Sequence, residues 1–147
     1  ETVDFDALVD RSLRLAADVA SAGASVRTLR IGSFGMVPAE DATALALILT
    51  ELVTNAVEHG FVGRERGTVE IIAERSGAHL RAIVTDDGVG MGSDPTGPKS
   101  AMSGLGTQIV GTLVRNELRG TIDWSAREDG GTQVVIDLDL RDRRPPG

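Results

Sequence analysis

The chain has 147 residues, 41% of them hydrophobic, with a formal net charge of −7, which fits one domain around a single core. Its 15 basic residues, of which only Lys99 is a lysine, form no dense cluster; this excludes a nucleic-acid-binding face, because phosphate neutralisation needs grouped cations. There is no Cys, so disulfide and thiolate chemistry are excluded and a reducing cytoplasm suits the chain. No apolar run approaches the ~18 residues of a membrane span, and no signal peptide is visible. The chain starts at Glu1 without a Met and reads as a piece of something longer.

In chain order, Phe5, Leu8, Val9, Leu13, Ala16, Ala17 and Ala20 recur at helical spacing, which predicts a helix from about Asp4, its N-cap, to Ala22, ended by Gly23. Val26, Leu29 and Ile31 predict a short strand, and Gly32 to Pro38 the turn after it. Pro38, Glu40 and Asp41 open a long helix, acids in its first turn suiting the dipole. Leu45, Ile48, Leu49, Leu52, Val53 and Ala56 make its buried stripe, which leaves Glu51, Asn55 and His59 on a neighbouring face. Gly60 stops it. Thr68 to Arg75 and Leu80 to Thr85 predict an antiparallel hairpin turning at Ser76 to His79.

From Gly88 to Gly106 the pattern dissolves into a long loop rich in Gly, Ser, Pro and Thr, a feature that is usually functional or mobile. Thr107 to Leu118 is helical, with Ile109, Val110, Leu113, Val114 and Leu118 inward and Gly120 at its stop. Strands Thr121 to Ala126 and Thr132 to Leu140 follow, joined through Glu128-Asp129-Gly130-Gly131. Residues 1–140 are expected to form the domain, and 141–147 a disordered tail. This order predicts a two-layer α/β sandwich of the α+β class, with helices covering one face of a mixed, mostly antiparallel sheet and the other face largely solvated.

Three elements carry chemistry. Glu51, Asn55 and His59 stand one helical turn apart and project along one line. An Asn amide oxygen suits Mg2+, an ion that keeps waters and bridges phosphates, while Glu51 could orient or deprotonate a nucleophile; a solvated polar helix face has the same pattern. Asp86 leaves the end of a strand and can accept a hydrogen bond from an exocyclic amine such as adenine's, and Gly88 and Gly90 beside Met91 permit close approach of a ligand; an Asp-Asp-Gly turn is the plainer alternative. Gly104-Leu105-Gly106-Thr107 opens a helix, where backbone N–H groups and the dipole attract anions, yet it fits neither the P-loop nor the dinucleotide pattern. Lys99 could fold over a terminal phosphate or be a solvated loop lysine. Thr132 could face a base or simply open a strand.

Taken together, Glu51-x-x-x-Asn55-x-x-x-His59, Asp86-x-Gly88-x-Gly90, Gly104-x-Gly106 and Gly131-Thr132 resemble the N, G1, G2 and final motifs of the ATP-binding catalytic domain of two-component sensor histidine kinases. This is the Bergerat (GHKL) fold shared with gyrase and MutL. The resemblance runs from Phe5 to Leu140, and the wording is similar to cytosolic actinobacterial kinases of the subfamily neighbouring the HWE kinases. It implies that Asn55 holds Mg2+, that Asp86 reads adenine N6, that the loop from Gly92 to Ser103 is the ATP lid, and that Met91, Leu105 and Thr107 belong to the ATP-contacting set. Two departures stand out. No Phe-rich F box is evident in the lid, and Glu58 occupies a position where many such kinases carry a basic phosphate-contacting residue, so that charge must be met elsewhere, by Lys99, Arg64 or Arg66.

The only histidines are His59 and His79, and neither suits a phosphoacceptor on a dimerisation helix. The resemblance therefore implies a cytoplasmic protein histidine kinase catalytic domain. It would pass the ATP γ-phosphoryl group to a histidine in a separate dimerisation domain of the parent chain, for relay to a response regulator. An anti-sigma-factor-type serine kinase and a noncatalytic nucleotide-sensing module remain as alternatives.

Overall fold

The computed structural model describes residues 2–20, 25–59, 66–87, 105–127 and 131–140. The expected helical period forms α1, Phe5–Ala20, and the long acid-led segment forms α2, Ala39–His59. Strands β2 (Ser25–Ile31), β4 (Arg66–Ser76), β5 (His79–Asp86), β6 (Thr121–Ala126) and β7 (Thr132–Asp139) build a five-stranded sheet in the order β2-β4-β5-β7-β6. Only the β2–β4 pair is parallel; the other three are antiparallel. The expected hairpin is β4–β5, closing at Ser76↔His79.

Two short strands were not legible in the sequence. Thr2–Asp4 forms β1 and Met36–Pro38 forms β3, paired antiparallel through Val3↔Val37. Gly32 to Pro38 is therefore only partly a turn, and Asp4, though it still precedes the first helical residue, belongs to β1. The link between α1 and β3 is made by side chains and close-packed rings. The Phe34 N–H donates to Asp6 Oδ1 at 2.7 Å, and the Phe5 and Phe34 rings meet edge to face with centroids 5.0 Å apart. From the hairpin, Arg75 Nη1 donates to the carbonyls of Phe34 and Met36, at 2.5 and 2.9 Å. Three-residue strands with no alternation to speak of carry too little periodicity to announce themselves.

The core lies between helices and sheet. The whole anticipated α2 stripe, Leu45, Ile48, Leu49, Leu52, Val53 and Ala56, is buried against the inward residues Val69, Ile71, Ala73, Leu80, Ala82, Val84, Val134, Ile136 and Leu138. The third helix, α3, is Leu105–Thr112, two residues earlier than expected, and its last turn widens into a π turn over Leu113–Glu117. Val110, Val114 and Leu118, at i, i+4, i+8, are its buried stripe, whereas Ile109, expected inward, is 48% exposed. A helix docked on one flank of α2 buries a narrow stripe, and position 109 falls beside it. The open sheet face, expected to be mostly solvated, is mixed: Ile31, Ile72, Ile83 and Val135 stand in one register row, with Ile72, Ile83 and Val135 half-buried and Ile31 45% exposed.

Candidate functional site

The candidate residues are carried by the C-terminal half of α2 and by the end of β5. The buried stripe runs along both halves of α2, and the second half also carries Glu51 and Asn55, both half-buried, on the flank beside buried Leu52, Val53 and Ala56. The four-residue spacing puts their side chains on one line. His59 is the last residue of α2; its side chain lies outside the described residues.

β5 supplies the carboxylate. Leu80, Ala82 and Val84 alternate into the core, and Asp86 continues that set at the strand's end with 6% exposure. In register it is flanked by Val69 of β4 and Thr132 of β7, so Asp86 and Thr132 share the helix-covered side of the sheet. A nearly buried carboxylate in such a position is costly unless other groups answer it, and its surroundings are tightly built. Gly131, at φ 95°, brings its backbone against the carbonyl of Asp86: a Cβ there would stand 1.9 Å from that oxygen. The position tolerates only glycine, both for φ and for space.

Two further residues fix the same strand end. Asp87, exposed, accepts a hydrogen bond on Oδ1 from the Thr68 N–H at 2.8 Å, while its own N–H donates to the Thr68 carbonyl at 3.3 Å. Arg127, at the end of β6, donates from Nη1 to the Asp86 carbonyl at 3.0 Å, and its N–H donates to the Gly131 carbonyl at 3.1 Å. Sequence reading singled out neither role. Asp87 stood in the motif only as a spacer between Asp86 and Gly88, and Arg127 is one of many scattered arginines with no spacing to mark it.

Of the other expected site residues, Gly88, Gly90, Met91, Lys99 and Gly104 lie outside the described residues, as do the whole lid and Arg64. Leu105, Gly106 and Thr107 form the first turn of α3, so the glycine-rich segment is already helical at Leu105; their side chains lie outside the described set. Arg66 opens β4. His79 sits at the opposite end of β5 from Asp86, half-exposed, with Nε2 3.1 Å from Asp137 Oδ1.

Among the described residues, no group of three or more His, Cys, Asp or Glu side chains could hold a metal ion by itself. On the flank of α2, Asn55 offers one amide oxygen and Glu51 one carboxylate a turn away. That set fits Mg2+, which takes one or two protein oxygens and completes its octahedron with waters and substrate phosphates.

The profile described as histidine kinase-, DNA gyrase B-, and HSP90-like ATPase matches residues 40–142. The sensor histidine kinase PdtaS of Mycolicibacterium smegmatis is 45% identical over 138 residues, covering 92% of this chain and 27% of that protein. The chain thus spans about a quarter of that curated relative. Among solved structures, the histidine kinase domain of a blue-light activated histidine kinase from Erythrobacter litoralis superposes with a TM-score of 0.80 at 29% identity, covering 96% of this chain and 63% of that one. An anti-sigma F factor from Clostridium novyi is 29% identical over 110 residues, 69% of this chain and 73% of that protein. No helix among the described residues is long and apolar enough to cross a membrane. The chain belongs to the histidine kinase-, DNA gyrase B- and HSP90-like ATPase family, as a histidine kinase ATPase domain homologous to sensor histidine kinases.

Proposed function

We propose that this domain binds Mg2+-ATP between α2 and the end of β5 and serves as the catalytic part of a longer cytoplasmic sensor histidine kinase. The observation that carries the reading is the nearly buried Asp86 beside Thr132 on the side of the sheet that faces α2, the helix bearing Glu51 and Asn55. Asp86 accepts from the adenine amino group, and Thr132 adds a hydroxyl beside it. Gly88, Gly90 and Met91 belong to the ATP-contacting set, and the first turn of α3, from Leu105 through Thr107, offers N–H groups to the phosphates together with Gly104 before it. Asn55 contributes its amide oxygen to Mg2+, which supplies charge neutralisation at the phosphates. With Glu58 in place of a cation, Lys99 meets the terminal phosphate.

The chemistry is a displacement at the γ-phosphorus. An imidazole nitrogen of the acceptor forms the new P–N bond, the bond to the β-phosphate bridging oxygen breaks, and ADP leaves with that electron pair. Glu51 takes the proton that the imidazole gives up. His79 is tied into the far end of β5 and His59 ends α2, so the acceptor is a histidine of the dimerisation domain elsewhere in the parent chain. A response-regulator aspartate receives the group next.

The test is labelling of the full-length parent with γ-labelled ATP. An acid-labile, alkali-stable label, lost in Glu51→Gln while ATP still binds, is the expected result. The similarity to an anti-sigma F factor favours a serine kinase as the second reading, and an acid-stable label would establish that instead. ATP binding without any label would mean a nucleotide-sensing module.

A further inference from the structure

Asp86 is the last residue of β5, where its ladders with both β4 and β7 end. Strand ends fray, because the last residues lack the flanking hydrogen bonds that hold the interior of a ladder. A carboxylate that must meet an amino group within hydrogen-bond distance cannot be left on a fraying end, since an error of about 1 Å removes most of the bond. The sheet itself does not solve this problem, as its regular pairing stops at Asp86↔Val69 on one side and Asp86↔Thr132 on the other.

Two side chains extend the pairing. On the β4 side, Asp87 replaces the missing ladder step: its carboxylate takes the Thr68 N–H at 2.8 Å while its N–H returns to the Thr68 carbonyl at 3.3 Å. This two-point contact clamps the peptide that follows Asp86. On the other side Arg127 holds the Asp86 carbonyl at 3.0 Å and is itself anchored through its N–H to the carbonyl of Gly131 at 3.1 Å. The bond from Arg127 is charge-assisted and partly buried, so it is the stronger of the two. The Asp87–Thr68 contact is exposed, and water competes for it.

Resting on the reading of Asp86 as the adenine-binding residue, we propose that Asp87 and Arg127 are positioning residues that together aim the Asp86 carboxylate and so set the site's preference for 6-amino over 6-oxo purines. Both act through the Asp86 backbone, so loss of either loosens base recognition while the phosphate end keeps its Mg2+ dependence. Asp87 acts through an acceptor oxygen and not through charge; Asn in its place preserves the contact because its amide oxygen also accepts. The clamp acts as a unit, so the two removals are non-additive.

The experiment measures affinities of this chain for ATP and GTP, with and without Mg2+, in the parent sequence and in Asp86→Asn, Asp87→Asn, Asp87→Leu, Arg127→Met and the double variant Asp87→Leu/Arg127→Met, each with its melting temperature. Expected are an ATP-over-GTP ratio lowered about tenfold in Arg127→Met and less in Asp87→Leu, retained in Asp87→Asn, and an unchanged Mg2+ dependence throughout. The double variant falls by a factor different from the product of the singles. If Asp86→Asn loses selectivity but Asp87→Leu and Arg127→Met both keep the parent ratio, the positioning inference is overturned and the reading of Asp86 stands. If the parent chain shows no adenine preference, or Asp86→Asn retains it, the reading of the site fails and this inference goes with it.

Discussion

Replacing Gly131 with Ala puts a methyl group where the structure has a carbonyl. The added Cβ would stand 1.9 Å from the Asp86 oxygen, against roughly 3.5 Å for a relaxed contact, so the carbonyl must retreat by about 1.5 Å or the β7 start must. Part of the cost is conformational, because φ is 95°, and a side chain at positive φ costs about 1–2 kcal/mol. Gly77→Ala isolates that part: Gly77 is also at positive φ, 61°, in the β4–β5 turn, but a Cβ there meets nothing within 4 Å. Each kcal/mol shifts the melting temperature of a domain this size by about 2–4 °C. Gly77→Ala should therefore melt about 2–8 °C lower than the parent, and Gly131→Ala, with a further cost of about 1–3 kcal/mol for overpacking, roughly twice as far. Only Gly131→Ala moves Asp86, and a displacement of about 1 Å at a recognition group costs on the order of a hundredfold. Differential scanning calorimetry and ATP titration on both variants decide the matter. Equal melting shifts, together with parent-like ATP affinity in Gly131→Ala, would mean that Gly131 does not hold the end of β5 in place.

Asn55→Ala should remove the Mg2+-dependent part of ATP binding, read by titration with and without the ion; as Asn55 is only half-buried on the flank of α2, the melting temperature should move by less than about 4 °C. Ile48→Ala, at a fully buried site of the α2 stripe, should destabilise by about 2–5 kcal/mol in urea, and a loss under 1 kcal/mol would mean that α2 is not seated on the sheet as described. On the α1–β2 side, the Arg30 hydrogen bond, at 2.8 Å from Arg30 Nε to Asp10 Oδ1, holds the Asp10 carboxyl below its ordinary 3.8, with the charges of Arg30 and Arg14 adding to it and burial opposing it. A depressed folded-state value means stability that is present above pH 3.8 and lost as pH falls through the lower folded-state value. Asp10→Asn should accordingly lower the melting temperature near neutral pH and make no difference once pH is well below 3.8. With 40% of the Asp10 side chain exposed, the gap stays within about 1 kcal/mol, and a gap that widened toward acid would contradict the sign.

The elements with strong period were legible in the chain alone. The α2 stripe, the β4–β5 hairpin and the β6–β7 pair are where alternation or helical spacing lasts long enough to be unambiguous, and each appears within a few residues of its expected bounds. The β1–β3 pair was missed because each strand is three residues long and is held by Asp6, Arg75 and the Phe5–Phe34 contact, long-range partners that no local window contains. Ile109 was misassigned because an apolar residue beside a stripe looks the same in sequence as one within it.

The site divides in a similar way. Asp86 and the α2 row stand out in the chain as candidates because a motif fixes their spacing, and the sheet register then puts Thr132 next to Asp86. The contacts of Arg127 and Asp87 could not, since they depend on how three strand ends meet in space. Gly131 lies between these cases: the motif named it, but its reason, the approach to the Asp86 carbonyl, is visible only in the fold.

The central claim, that α2 and the end of β5 form an adenine-nucleotide site, is tested most directly by calorimetric titration of this chain with ATP, ADP and GTP, each with and without Mg2+. Expected is saturable binding of ATP and ADP, strengthened by Mg2+ for ATP, with GTP at least about tenfold weaker because a 6-oxo group offers Asp86 no hydrogen to accept. Equal affinity for ATP and GTP, or ATP affinity indifferent to Mg2+, would contradict it.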